Sequence, residues 1–223
     1  MIKTLLIMLS LLPFVAMAQN NIVINGYYHI EKGIDLSIPQ RLKFEVKRVN
    51  DLLALHQIDD FTFSLGEVRE LNVRSSVFFD ETEVSESFVA YKTIKSEFSN
   101  QQQLDFYVRF ERPNENSKVK GVAVQGGSYF AALLDPEDRF DTFSHELLHM
   151  LGLGDVKASY GSPYVCESKY TIMNERVLPR ESKVMMLSDP RITKNGVTCG
   201  HSAHYDNARL LSELLHQRFK NKD

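Results

Sequence analysis

Apolar positions along this chain change their spacing several times, and each change marks an element. Leu5 to Ala18 is almost continuously apolar, broken at Ser10 and Pro13, with Lys3 ahead of it. Val23 to Ile30 is rich in branched and aromatic residues, as a strand is. Leu42, Val46, Val49, Leu53 and His56 then recur at spacings of four and three, which predicts a helix with Pro39 in its first turn. Phe61 to Leu65 alternates apolar and polar side chains, the period of a half-buried strand continuing toward Val73. The helical period returns at Val84, Phe88, Tyr91, Ile94 and Phe98.

Leu104 to Phe110 reads as a strand ended by the turn residues from Arg112 to Ser117. Val119 to Val124 and Ser128 to Leu134 predict two more strands, separated by Gln125-Gly126-Gly127. A helix follows, capped by Asp138 or Asp141, running to about Leu151 and stopped by Gly152. Gly154 to Gly200 holds three prolines and four glycines with no sustained apolar period, so it is expected to be loop-rich. A last helix, near Ala203 to Phe219, places Ala208, Leu211, Leu215 and Phe219 on one face. The order predicts an α/β (α+β) fold: a mixed sheet with helices, then an irregular half and a closing helix. With no internal repeat and no long linker, residues 19–223 read as one domain.

Composition narrows the classes. Of 223 residues, 43% are hydrophobic and 25% charged, which excludes disordered, collagen-like and coiled-coil readings. A formal charge of -3 leaves no excess of cations to bind nucleic acid or anionic lipid. The first 18 residues follow the order of a cleavable export signal: a cation, an apolar run, then Ala16-Met17-Ala18. As a membrane anchor the run is short, spanning about 21 Å against a bilayer core of about 30 Å. Export to an extracellular or periplasmic destination makes the two cysteines, Cys166 and Cys199, a candidate disulfide worth about 3–4 kcal/mol by loop closure. The alternative is a pair of buried free thiols.

The chemistry concentrates between residues 145 and 155: His145-Glu146-Leu147-Leu148-His149-Met150-Leu151-Gly152-Leu153-Gly154-Asp155. Two histidines four apart on a helix share a face, so both rings can reach one metal ion. Glu146 stands beside them, able to approach water at the metal without ligating it. Gly152 can take positive φ and turn the chain out of the helix, which positions Asp155 to return a third ligand. Requiring that glycine and a terminal His or Asp lowers the chance expectation about two hundredfold relative to HExxH alone.

With these residues the chain resembles the metzincin clan of zinc endopeptidases, whose pattern is HExxHxxGxxH, or ends in Asp in a minority that includes snapalysin-like enzymes; the reprolysin-like enzymes are a second comparison. Tyr170-Thr171-Ile172-Met173-Asn174 looks like the clan's methionine turn, with Met173 following Asp155 by 18 residues. The resemblance implies a twisted mixed sheet over a loop-rich lower subdomain, and one catalytic Zn2+ on His145, His149 and Asp155. It further implies Glu146 as general base, and Val119 to Val124 as the edge strand along which a protein or peptide substrate lies. Three features depart from the pattern. Asp155 replaces the commoner histidine and should lower the ion's net charge. Glu175 stands two residues after Met173, where astacins and serralysins carry tyrosine, and no cysteine precedes the zinc helix to act as a latency switch.

Other groups have plainer readings. His201 and His204 are expected on the surface or at a cap, and His29, His56 and His216 as partly exposed side chains. The acidic group Asp135, Glu137, Asp138 and Asp141 complements a helix N-terminus, and Arg176 and Arg180 stay solvated. The expected function is secreted, zinc-dependent peptide hydrolysis by a monomer, without nucleic acid and without stable membrane insertion after signal cleavage. Its alternatives are a catalytically silent or latent zinc protein that binds a partner in the same groove, and a structural zinc module.

Overall fold

A computed structural model describes residues 20–35, 37–70, 104–110, 121–123, 125–134, 141–155, 164–167, 169–174 and 183–220. The expected export signal, the helix from Val84 to Phe98, three residues of the acidic group (Asp135, Glu137, Asp138), and Glu175, Arg176 and Arg180 lie outside them.

Five strands form the main sheet: β1 (Asn20–Ile30), β2 (Phe61–Glu70), β3 (Leu104–Phe110), β4 (Gly121–Ala123) and β5 (Tyr129–Leu134). Their spatial order is β2-β1-β3-β5-β4. The first four in that order run parallel, while β4 pairs antiparallel with β5, Gly121 opposite Ala132 and Ala123 opposite Phe130. Gln125-Gly126-Gly127 makes the turn between them, as the break in the apolar run predicts. A parallel sheet needs crossover connections, and helix α1 (Ile38–Leu55) supplies the one from β1 to β2. Pro39 lies in its first turn, where a missing N–H costs no hydrogen bond.

One face of the sheet presents Ile22, Ile24, Phe61, Phe63, Leu104, Phe106, Val108, Phe110, Phe130, Ala132 and Leu134 to a continuous core. The apolar stripe of α1, from Ile38 through Leu42, Val46, Val49 and Leu53, closes on it. So does helix α2 (Thr142–Met150), whose Phe143 ring stands edge-on to Phe106 and Phe130 with centroids 5.2 and 5.1 Å away. That aromatic wedge sets where the helix sits on the sheet. Arg48 on α1 binds the carboxylate of Asp141 at the start of α2. Asp141 therefore occupies the cap position without capping: its side chain makes no cap hydrogen bond because an arginine holds it.

The second half is more regular than expected. Between Gly154 and Gly200 lie β6 (Val165–Cys166), β7 (Lys169–Thr171) and β8 (Lys183–Val184) in a small sheet. A hairpin of β9 (Asp189–Lys194) and β10 (Val197–Cys199) follows. Cys166 and Cys199 form a disulfide that ties β6 to this hairpin. Helix α3 (Asn207–Leu215) closes the chain, buries Ala208, Leu211 and Leu215, and continues as a π turn from His216 to Lys220. It begins later than Ala203 because the Asp206 carboxylate accepts from the Arg209 N–H and caps it. No helix among the described residues is long and apolar enough to cross a membrane.

Candidate metal centre

Helix α2 buries Phe143, Leu147, Leu148 and Met150 and leaves His145 and His149 on its open side. Their rings stand nearly perpendicular, with centroids 4.5 Å apart. Each ring is oriented from behind. His145 Nδ1 lies 2.8 Å from the Ile172 carbonyl and His149 Nδ1 lies 2.8 Å from the Leu153 carbonyl. A carbonyl only accepts, so both Nδ1 atoms carry the hydrogen and both Nε2 atoms keep a lone pair.

The helix ends as Gly152 allows. Gly152 has φ of +113°, its N–H donates to His149 O, and the Leu153 N–H reaches back to Leu148 O. That is a Schellman ending, and it swings Leu153 and Asp155 back over the helix face. The Asp155 carboxylate then reaches both rings: Oδ1 lies 3.4 Å from His145 Nε2 and Oδ2 lies 3.1 Å from His149 Nε2. The two Nε2 atoms are 3.0 Å apart.

The structure thus brings His145, His149 and Asp155 together, with one ligand atom from each within 4.8 Å of the others. The donor set suits a cation. Two ring lone pairs and a carboxylate converge with their ring hydrogens already committed elsewhere, so mutual repulsion is relieved only by a proton or a metal ion. Ligands about 2.0–2.2 Å from a tetrahedral zinc stand about 3.3–3.5 Å from one another, close to the spacings found here. No other such group of three occurs among the described residues.

Glu146 lies on the sheet side of the same helix and is 6% exposed. Burial pushes its carboxyl up to about 8, the His149 ring draws it down and the Asp155 carboxylate adds to the rise. Burial disfavours the charged form of His149, but the hydrogen bonds its protonated ring donates to the Asp155 carboxylate and the Leu153 carbonyl outweigh it, and the ring's pKa is raised. Met173 is fully buried in a tight turn in which the Asn174 N–H donates to Thr171 O. The preceding residue of that turn, Ile172, supplies the carbonyl that fixes His145.

Several supporting groups carry no motif signal. The Gly126 N–H donates to His149 O and the Gln125 side-chain amide donates to Gly152 O, so the β4–β5 turn grips the end of α2. Arg218 in the π turn donates to Met150 O. Further back, the Ile172 N–H donates to Met186 O, and the next residue, Leu187, donates its N–H to His56 Nε2. His56 is 1% exposed, which corrects the expectation of a partly exposed side chain. As Nε2 accepts, the ring is the neutral tautomer, and Nδ1–H donates to Asp189 Oδ2 at 2.8 Å. His201 and His204 lie on the surface as expected, with ring planes 11° apart. Parallel planes keep their lone pairs from converging on one ion.

No family model matches the sequence, and no curated protein matches it. Solved structures do. A chain from the structure of a chaperone–substrate complex is similar over 91% of this chain and 39% of its own length, with TM-score 0.65 and 16% identity. Metalloproteinase-II from Bacteroides fragilis is similar over 66% of this chain and 47% of its own, with TM-score 0.44 and 15% identity. Archaemetzincin from Methanopyrus kandleri is similar over 94% of this chain and 100% of its own, with TM-score 0.47 and 13% identity. The chain thus spans less than half the length of the first two. At these identities the likeness is one of fold, and any chemistry has to be argued from this chain's own side chains.

Proposed function

We propose that this chain is an exported zinc endopeptidase that binds one ion through His145, His149 and Asp155 and uses Glu146 as its general base. The observation that carries the reading is the convergence of two lone-pair Nε2 atoms and a carboxylate at 3.0–3.4 Å, with both Nδ1 hydrogens held by carbonyls. Zinc in that position supplies Lewis acidity toward water and a peptide carbonyl, and three protein ligands leave room for both. Glu146 takes a proton from the attacking water and passes it to the leaving amine nitrogen. Burial favours the protonated carboxyl, which suits the delivery step, while a cation held by the neighbouring ligands would favour the carboxylate that takes the first proton.

An extended peptide pairs with β4, the end strand of the sheet among the described residues, and borrows its main-chain hydrogen bonds. Main-chain pairing does not depend on side chains, so it favours cutting inside unfolded protein over recognition of one small molecule. Residues 1–18 carry the chain out of the cytoplasm, and the Cys166–Cys199 bond is consistent with an oxidising compartment. Casein cleavage by the purified chain tests the function. Activity should disappear with a chelator, return with zinc, and fall to a small measurable residue in zinc-loaded Glu146→Ala. Turnover that survives complete metal removal would contradict the reading.

A further inference from the structure

The edge strand meets the zinc helix at a residue outside the metal motif. A Cβ placed on Gly121, the first residue of β4, would lie 2.5 Å from Glu146 Cγ, 2.5 Å from Oε1 and 2.7 Å from Cδ. Carbon atoms do not approach that closely without displacement, so the hydrogen at Gly121 is what leaves room for the carboxylate. Glu146 is 6% exposed, and the two residues after it, Leu147 and Leu148, are fully buried. The obstructed atoms are nevertheless the far end of a flexible side chain. A methyl group there would turn the carboxylate aside and leave strand and helix together.

We propose that Gly121 is a positioning residue for Glu146: by lacking a side chain it lets β4 lie against the carboxylate and fixes where the proton is taken from water. The inference rests on the endopeptidase reading above. It also explains how base and substrate stay in register, because the strand that offers its outer edge to the peptide is the one that abuts the base. One backbone segment thereby sets both positions. A displacement of about 1 Å in such an arrangement costs about 100-fold in rate.

The test is a double-mutant cycle on the full exported chain, with Gly121→Ala, Glu146→Ala and the pair, each assayed with zinc and each melted without it. Gly121→Ala should keep one zinc per chain and a KM within about threefold, while kcat falls about 100-fold. In the Glu146→Ala background the same substitution should cost no further activity. Without metal, Gly121→Ala should lower the melting midpoint of the parent more than that of Glu146→Ala, where no carboxylate is displaced. Parental kcat in Gly121→Ala overturns the proposal. So does an equal further loss in both backgrounds, an equal midpoint shift in both, or loss of fold or zinc in Gly121→Ala, each of which puts the effect elsewhere than Glu146. A parent chain that binds zinc and cleaves no peptide overturns the endopeptidase reading and this role with it, whereas an active parent with an equally active Gly121→Ala overturns this role alone.

Discussion

At the scale of single residues, the site works by committing hydrogens. Ile172 and Leu153 each accept the Nδ1–H of one histidine, which turns both Nε2 lone pairs toward Asp155. Asp155 reaches both rings at once. Asp155→Ala should therefore weaken zinc binding by more than the 10–100-fold typical of losing an outer hydrogen-bond partner, while far-UV circular dichroism stays unchanged. A competition titration against a chromophoric chelator measures it, and parental affinity would remove Asp155 from the ligand set. The convergence of these three side chains was legible in the sequence because helix geometry and one glycine turn determine their relation within eleven residues. His56 was not. Its partners, Leu187 and Asp189, lie more than 130 residues away, and a histidine at the end of an apolar stripe carries no sign of them. Gly121 was illegible for the same reason: nothing local distinguishes a strand glycine that meets a carboxylate.

At the scale of elements, α2 is held at both ends. Arg48 takes the Asp141 carboxylate at its start. At its finish the Gly126 N–H, the Gln125 amide and the Arg218 guanidinium take the carbonyls of His149, Gly152 and Met150. These groups bear on the candidate centre only through backbone, yet the turn they hold is the one that delivers Asp155. Gln125→Ala should lower zinc affinity about 10-fold with little change in melting temperature. An unchanged affinity would show that Gly152 alone shapes the turn. Apolar period predicted α1, the sheet strands and α2 well, because their burial is one-sided and regular. It missed β9, where Ile192 is the one strongly apolar residue among Asp189, Pro190, Arg191, Thr193 and Lys194. Strands of two or three residues such as β6 and β8 are too short for any period to register.

At the scale of the whole molecule, a buried polar cluster joins the two halves. Asp189 is 1% exposed and receives hydrogen bonds from His56 at the end of α1 and from Arg191, which also reaches the His56 carbonyl. Burial raises the Asp189 carboxyl's pKa, but the hydrogen bonds from His56 and Arg191 outweigh it and hold the group well below the usual range. A depressed folded pKa contributes stability that is present above the unfolded value of about 4 and lost as pH falls through the folded one. The melting temperature should accordingly drop as pH is lowered below about 4, with a shallower slope in Asp189→Asn. Parallel slopes would show that the acid sensitivity arises elsewhere. The cluster also connects to the metal centre through Leu187, Met186 and Ile172 to His145, so the lower half is part of the site's scaffold. Titration of zinc into the metal-free chain shows whether the fold assembles one three-ligand metal centre. One equivalent should bind, and binding should be lost in His145→Ala and in His149→Ala alike. Absence of stoichiometric binding, or binding that survives both substitutions, would contradict it.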